Sequence, residues 1–390
     1  MKSICAVKGV TATGIKEGRY GLALIRASGN AAAVFTKNLL AAEPVHLMRE
    51  RMKSGYLDGI VINSGNANVY TGEQGLKDAE RMAELGAEVF DTTPEKVGIA
   101  STGVIGRFMR MDIIEDQFYR IKSDLGHDEN AEDKAESAIL TTDTKPKHAV
   151  SKRKGFTVAG IAKGSGMIAP NMGTMLAFIY TDADAESEVL SAMLRKAVER
   201  SFNRVVVDGD TSTNDCAFFT ATGIMGKADP DELYSALEEV CISLAKQIAS
   251  DGEGATKMLE ITVINAASED EAASVAKTVI ESPLVKTAVY GEDPNWGRVI
   301  AAAGRAGVYF DMNKVSVYIS DGDNSVPLAV KGEIIADDIK NPDALKEAKN
   351  MMAGKKVTFV IDLDSGKESA TAWGCDLTDK YVEINGKYTT

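Results

Sequence analysis

Residues 162–183, AKGSGMIAPNMGTMLAFIYTDA, place one hydroxyl side chain, Thr174, after a run of small residues and at the start of an apolar stretch. The apolar stretch predicts a buried strand, and a β-branched residue in a strand is ordinary packing. The preceding Gly164, Gly166 and Gly173 permit strained backbone and close approach of other groups. Thr174 is therefore also a candidate nucleophile that attacks the carbonyl carbon of its own Gly173–Thr174 bond.

Cleavage at this bond would make Thr174 the first residue of a new chain. An N→O acyl shift followed by hydrolysis frees its α-amino group, whose pKa of about 8 lies well below that of lysine. The amine accepts the proton of the hydroxyl on its own residue, so one position supplies both nucleophile and base. This chemistry suits a chain that has only three histidines and lacks a G-x-S-x-G motif.

An acyl transfer also needs groups that stabilise an oxyanion and recognise the substrate. In STGVIG, residues 101–106, Thr102 offers a hydroxyl and Gly103 an unobstructed backbone N–H, although this sequence is also a common turn. Lys163 precedes the glycine-rich run and is placed to hold a carboxylate. Glu253 stands between two glycines and is a candidate to bind an ammonium group.

The overall composition is that of a soluble globular protein in a reducing compartment. The chain has 390 residues, 44% of them hydrophobic, and a formal net charge of −13. An acidic surface argues against nucleic acid or an anionic membrane as the partner. No signal peptide or membrane span is predicted, and a cytoplasmic location is expected. Widely spaced cysteines without a CxxC pair predict reduced, mostly buried thiols: Cys5, Cys216, Cys241 and Cys375.

Metal and nucleotide motifs are weak. Residues 208–215, DGDTSTND, begin like a calcium loop, but Thr213 and Phe219 stand where that loop needs Gly and Glu. We therefore interpret this segment as a polar turn that is able to line a site. Residues 252–257, GEGATK, lack the spacing of a phosphate-binding loop. The histidines form no ligand-spaced cluster, so no metal is expected.

Strands occur in neighbouring pairs as well as between helices, which favours a mixed α+β layered architecture over a doubly wound fold. Apolar periodicity distinguishes the two element types. The predicted strands are 21–28, 31–38, 59–68, 96–106, 156–164, 174–183, 258–268, 314–320, 325–332 and 356–364. The predicted helices are 73–90, 131–140, 186–203, 230–252, 269–282, 297–307 and 342–354.

Six motifs that follow one another along the chain, from about residue 100 to its last residue, together resemble the ornithine acetyltransferase (glutamate N-acetyltransferase) family of arginine biosynthesis. They are STGVIG, TTDT, AKGSGMIAPNMGTMLAF, DGEGATK, GEDPNWGR and the C-terminal NGKYTT. Six ordered motifs in one chain are far more specific than any one of them alone.

The resemblance implies self-cleavage into an α chain, residues 1–173, and a β chain, residues 174–390, with a C-terminal α/β region at about 270–390. It implies a layered αββα sandwich, similar to but distinct from N-terminal-nucleophile hydrolases, and an α2β2 heterotetramer. The implied reaction is ping-pong acetyl transfer through Thr174 from N2-acetylornithine to glutamate. Neither a metal nor an organic cofactor is implied, although acetyl-CoA as a second donor stays open.

The resemblance also assigns site residues. Thr102 and Gly103 would form the oxyanion hole, and substrate would contact Thr141, Lys163, Thr174, Glu253, Asn385 and Thr390. Spacing does not separate Thr141 from the adjacent Thr142. The family usually has Ala-Thr at the scissile bond, whereas this chain has Gly173, which predicts slower or less complete cleavage.

Two other functions are compatible with the residues. An amidohydrolase or aminopeptidase would use the same self-cleaved threonine with water as the acceptor. A scaffold or binding protein would use Thr174 only for packing. Lys163 and Glu253 favour a free amino acid as the acceptor, and hence an acyltransferase.

Overall fold

The structure is a computed structural model that describes residues 2–169 and 175–387. The chain divides into two compact units. Unit 1 comprises Met1–Asn203 and Asp210–Ile248, and unit 2 comprises Arg204–Gly209 and Ala249–Thr390. The division shows that residues on both sides of the predicted cleavage bond belong to unit 1.

Strands and helices alternate irregularly along the chain. The strands are β1 (Thr11–Glu17), β2 (Tyr20–Phe35), β3 (Tyr56–Asn66), β4 (Val97–Val104), β5 (Lys147–Arg153), β6 (Phe156–Lys163), β7 (Leu176–Thr181), β8 (Val205–Val206), β9 (Cys216–Ala221), β10 (Met258–Ala266), β11 (Ser316–Ser320), β12 (Ser325–Val330), β13 (Glu333–Ile334), β14 (Lys356–Asp362) and β15 (Glu368–Cys375). The helices are α1 (Glu43–Arg51), α2 (Gly72–Phe90), α3 (Met111–Ile121), α4 (Glu129–Ile139), α5 (Ser187–Arg200), α6 (Pro230–Ser250), α7 (Glu269–Ile280), α8 (Pro283–Tyr290), α9 (Trp296–Ala303), α10 (Pro342–Met352) and α11 (Asp379–Gly386).

Unit 1 is built on a mixed sheet with the order β4-β3-β2-β9-β7-β6-β5, and β1 also pairs with β2. The first half of β2 pairs with β1 and its second half with β9. The sequence prediction of two strands at 21–28 and 31–38 is therefore wrong. The backbone stays extended through Gly29, where a Cβ would overlap the carbonyl oxygen of Ala221. That close approach explains a glycine inside a continuous strand.

The core of unit 1 lies between its sheet and the helices packed on it. Helix α2 buries Ala79, Met82, Ala83 and Phe90, which recur at helical spacing. It ends at Asp91, whose φ of 55° is left-handed. Helix α4 packs on β1 and β2, and α2 packs on β3 and β4. These contacts fix the strand ends where the candidate site residues stand.

Unit 2 is a second mixed sheet with the order β13-β12-β11-β14-β10-β15-β8. Strand β10 is parallel to β14 and antiparallel to β15. Helix α7 packs on β10 and β15. Each unit therefore combines a mixed sheet with helices, which confirms the predicted α+β fold class.

The structure tests the prediction about the cysteines. The cysteines are free and buried, as predicted. Across the described residues, no helix is both long and apolar enough to cross a membrane.

Candidate active site

The ends of two parallel strands bring Thr102 and Gly103 to one edge of unit 1. Strands β3 and β4 pair in parallel, with Ser64 opposite Thr102 and Gly65 opposite Gly103. Gly103 has a φ of +135°, and a Cβ there would overlap the backbone of Gly65. Only glycine fits this backbone, because an L side chain would meet both an unfavourable φ and a neighbouring main chain. The predicted oxyanion pair thus lies on a tightly constrained strand end.

Lys163 reaches the same strand end from the other side of the sheet. It is the last residue of β6, and its Nζ donates a hydrogen bond of 3.2 Å to Thr102 Oγ1. Lysine and threonine are both buried. Because the Thr102 oxygen accepts from an ammonium, its own hydroxyl hydrogen is left to donate elsewhere. Such a polarised donor suits a developing negative charge on a substrate oxygen.

The Thr141–Thr142 pair follows α4 and lies against the chain that leaves β6. Thr142 Oγ1 is 2.7 Å from Ser165 Oγ. The backbone N–H of Thr141 donates to Asp143 Oδ2 at 3.1 Å, and that of Gly164 donates to Asp143 Oδ1 at 2.6 Å. The TTDT and AKGSG motifs, which are separate in sequence, therefore meet through Asp143.

Asp143 is a buried carboxylate that the sequence did not single out. Lys147 Nζ lies 2.7 Å from its Oδ1, and both side chains are shielded from solvent. Burial alone would raise the pKa of Asp143, but the charges of Lys163 and Lys147 and the hydrogen bonds lower it to about 2. The carboxylate therefore stays ionised across the physiological range.

Lys16 is a second residue that sequence reasoning missed. Its Nζ donates to Ser64 Oγ at 2.7 Å and to the carbonyl of Leu140 at 2.5 Å. Burial and the charge of Lys163 together lower the pKa of Lys16 to about 8, against the opposing charge of Asp143. No motif marks this lysine, because it lies on a strand next to a short turn. The site thus holds more cationic groups than the sequence predicted.

Residues 210–215, the part of the predicted polar turn at 208–215 that lies in unit 1, connect other parts of that unit through hydrogen bonds. Asn214 Nδ2 donates to the carbonyls of Ala67 at 2.6 Å and Ser101 at 2.9 Å. It therefore ties the loop after β3 to the residue that precedes Thr102. Among the described residues, no cluster of three or more His, Cys, Asp or Glu is placed to hold a metal ion.

The same part of the chain contacts described residues on both sides of the predicted cleavage bond. Upstream of the bond, the Ala169 N–H donates to Asp210 O and Thr211 Oγ1 donates to Ala169 O, both at 2.9 Å. Downstream, the Cys216 N–H donates to Met175 O at 3.1 Å. The predicted cleavage residues Gly173 and Thr174 themselves lie outside the described residues.

In unit 2, the structure brings together two other predicted site residues. Asn385, on α11, donates from Nδ2 to Glu253 Oε2 at 2.7 Å. Glu253 is buried, and the loop that carries it is fixed by the hydroxyl of Thr378, which donates to Gly254 O at 2.7 Å. The amide thus orients the carboxylate. The remaining predicted contact, Thr390, lies outside the described residues.

A mixed α/β fold that brings together a constrained glycine and a threonine hydroxyl at the end of β4 and a lysine amine from the end of β6 has the groups that suit an acyl-transfer enzyme. A family model for the ArgJ family matches residues 7–390. The chain therefore belongs to the ArgJ family. This confirms both the resemblance seen in the motifs and the expectation of an acyltransferase.

Individual relatives agree over the whole chain. Glutamate N-acetyltransferase of Methanosarcina mazei is 47% identical over 393 residues, covering 99% of this chain and 98% of that protein. The arginine biosynthesis bifunctional protein ArgJ of Archaeoglobus fulgidus is 43% identical over 388 residues, covering 99% and 100%. A crystal structure of the ArgJ protein of Bacillus halodurans is 38% identical, covering 53% of this chain and 96% of that chain, with a TM-score of 0.49.

Proposed function

We propose that this protein transfers the acetyl group of N2-acetylornithine to L-glutamate, giving ornithine and N-acetylglutamate in arginine biosynthesis. The observation that carries the proposal is the hydrogen bond from Lys163 to Thr102 beside the constrained Gly103. The name of the Methanosarcina mazei relative, glutamate N-acetyltransferase, supports glutamate as the acetyl acceptor, and the name of the Archaeoglobus fulgidus relative supports a role in arginine biosynthesis.

The proposed reaction is ping-pong and passes through an acetyl-Thr174 ester. Thr174 Oγ attacks the acetyl carbonyl, and its proton passes through the α-amine of Thr174 to the leaving amine of ornithine as the amide bond breaks. The amine of glutamate then attacks the ester, and the proton returns to Thr174 Oγ as the ester bond breaks. Thr102 Oγ1 and the Gly103 N–H stabilise the oxyanion in both halves.

Substrate recognition in this proposal uses charged side chains. Lys163 binds the substrate carboxylate, and Glu253, oriented by Asn385, binds an ammonium group. Thr141 is favoured over Thr142 as a substrate contact, because the Thr142 hydroxyl is already within hydrogen-bond distance of Ser165. Thr390 completes the proposed substrate contacts.

Activation in this proposal is self-cleavage between Gly173 and Thr174. The hydroxyl attacks the Gly173 carbonyl, water hydrolyses the resulting ester, and the new amine becomes the base. The two chains, residues 1–173 and 174–390, remain together as an α2β2 heterotetramer in the cytoplasm. The hydrogen bonds between residues 210–216 and both Ala169 and Met175 support retention of both chain ends. The chemistry needs no metal or organic cofactor.

A half-reaction assay tests the proposal. Purified protein is mixed with N2-acetylornithine alone, and then with glutamate, while ornithine, acetate and N-acetylglutamate are quantified. We expect at most one equivalent of ornithine per Thr174 before glutamate is added, followed by glutamate-dependent turnover. Steady release of acetate that glutamate does not divert would contradict the proposal and support an amidohydrolase.

Two additional experiments test the acetyl donor and the nucleophile. Acetyl-CoA replaces acetylornithine in one arm, and N-acetylglutamate formed there would identify it as a second donor. Thr174→Val serves as the negative control, since valine keeps the β-branched shape without a nucleophile. Transfer that persists in Thr174→Val would overturn the assignment of the nucleophile.

A further inference from the structure

Asp143 joins three separate pieces of unit 1 through one carboxylate. Its Oδ1 accepts from Lys147 Nζ at 2.7 Å and from the Gly164 N–H at 2.6 Å. Its Oδ2 accepts from the Thr141 N–H at 3.1 Å. These contacts link the start of β5, the chain just beyond Lys163 and the turn that carries Thr141. A single side chain thus fixes the backbone beside two proposed substrate contacts.

The surrounding charges explain why this link is rigid. Lys147 compensates Asp143 at short range, and neither side chain reaches solvent. A buried pair of this kind is costly to break, because removing one partner leaves an uncompensated charge. Lys163 acts on Asp143 electrostatically, and both Lys163 and Asp143 act on Lys16. One carboxylate therefore lies within a group of three lysines, which leaves an excess of positive charge for an anionic substrate group.

We propose that Asp143 is a positioning residue, which holds the Thr141 turn and the Lys163–Gly164 backbone in register so that both side chains meet the substrate carboxylate. The inference rests on the proposed function, because it assumes that Thr141 and Lys163 bind substrate. Asp143 does not touch the reacting atoms in this account. Its loss therefore weakens binding of both amino-acid substrates more than it slows the chemical step.

The test uses the double variant Asp143→Asn/Lys147→Met. Removing both charges leaves the net charge unchanged and avoids an unpaired buried ion, so this variant should fold where Asp143→Asn alone loses stability. The Oδ1 of asparagine can accept one of the two backbone hydrogen bonds, but its Nδ2 is a donor and cannot accept the other. We expect KM for acetylornithine and for glutamate to rise about tenfold, with kcat changed less than about threefold.

Asp182→Asn is the matched control. Asp182 is also buried, and its carboxylate accepts from the Thr157 N–H at 2.7 Å and the Lys8 N–H at 3.3 Å. Thr157 lies near the start of β6, whereas Lys163 lies at its end. A general loss of stability in β6 would act alike in both variants. We expect Asp182→Asn to lower thermal stability while KM for both substrates stays at the wild-type value.

The single variant Lys147→Met separates the backbone contacts from the ion pair. It retains Asp143 with its bonds to Thr141 and Gly164, so KM should change less than in the double variant. Calorimetric titration with ornithine gives a second readout, in which Kd should follow KM. Unchanged KM and Kd in the folded double variant, or an equal rise in Asp182→Asn, would overturn the role of Asp143. A wild-type protein without acetyl transfer would instead refute the proposed function.

Discussion

At the scale of single residues, the site depends on backbone positions as much as on reactive side chains. Gly103 combines a left-handed φ with a position so close to the backbone of Gly65 that an added Cβ would overlap it. In the proposed mechanism, Lys163 and Thr102 act only because that strand end is held in place. The sequence predicted all three residues, since each lies in a motif next to an element boundary. It did not predict that Lys163 would bond to Thr102.

Gly103→Ala tests the constrained strand end. A methyl group would displace the Gly65 backbone and force alanine into a strained φ, which costs about 1–3 kcal/mol for the φ alone. We expect loss of stability and a fall in kcat of about a hundredfold, because the N–H would leave the oxyanion position. Unfolding by denaturant and steady-state kinetics measure the two effects.

Gly106→Ala is the control for this prediction. Gly106 also has a positive φ, of +74°, but nothing lies within 4 Å of a Cβ built there. This variant should lose some stability and keep its kcat. A Gly103→Ala protein with wild-type kcat would contradict the placement of the oxyanion donor at that N–H.

Asp143 and Lys16 show why part of the site could not be predicted from the sequence. In the sequence, Asp143 lies in a polar run, TTDT, that is typical of a surface turn. The Asp143 side chain becomes buried only when the ends of β5 and β6 enclose it. Its ion pair with Lys147 is buried in the same way. Lys16 likewise gains its contacts from Ser64 and Leu140, which are distant in sequence. Burial of a charged side chain by elements that are distant in sequence leaves no pattern in the local sequence.

At the scale of elements, periodicity predicted the amphipathic helices well, because an apolar face packed on a sheet repeats at helical spacing. Helices α2, α5 and α7 are examples. Strands with polar faces were missed, including β1 (TATGIKE) and β5 (KHAVSKR). Long strand β2 was divided in two at Gly29, because sequence patterns do not reveal its change of partner from β1 to β9.

Asn214→Ala tests whether the Asn214 side chain holds the loop after β3 and the residue before Thr102 in place. The substitution leaves the carbonyls of Ala67 and Ser101 without this donor, which costs about 1–3 kcal/mol of folding free energy. Because Ser101 precedes Thr102, a shift there should also lower kcat by about tenfold or more. Chemical denaturation and kinetics of the processed enzyme measure these effects.

Asn38→Ala is the matched control for Asn214→Ala. Asn38 Nδ2 donates to Thr211 O at 2.9 Å, so it anchors the same segment without contacting the residue before Thr102. This variant should lose stability and retain kcat. Equal kcat losses in the two variants would show that the segment acts only through general stability.

His148 on β5 and Glu136 on α4 form a pH-sensitive contact between elements. His148 Nδ1 lies 3.1 Å from Glu136 Oε2, and this hydrogen bond raises the pKa of His148 against the opposing effect of burial. A raised pKa in the folded state stabilises the protein fully below the ordinary value of about 6.5. The contribution disappears as the pH rises through the raised value.

His148→Gln should therefore be destabilised relative to wild type in mildly acidic solution, by up to about 1 kcal/mol, and less so in alkaline solution. Unfolding free energies measured across this range give the difference. Glu136→Gln should remove the same pH-dependent contribution. A stability difference between wild type and His148→Gln that does not vary with pH would contradict the ion pair.

At the scale of the whole molecule, the chain divides into two compact units, and each holds some of the residues that the resemblance assigns to substrate or oxyanion binding. Unit 1 holds Thr102, Gly103, Thr141 and Lys163, and unit 2 holds Glu253 and Asn385. The fold class and family were predictable, because the mixed element order runs along the whole chain and six motifs follow one another from about residue 100 to the last residue. The boundary between the units was not predictable, because no change in composition marks residues 204–209 as part of unit 2.

The central claim is that Thr174 becomes the first residue of a chain and carries the acetyl group. Intact mass under denaturing conditions, before and after brief exposure to N2-acetylornithine, tests both parts together. We predict species of about 18 and 23 kDa, in proportion to 173 and 217 of 390 residues and a total of 41.6 kDa. The larger should begin at Thr174 and gain the mass of one acetyl group. A single uncleaved 41.6 kDa species that gains no acetyl group would contradict the account.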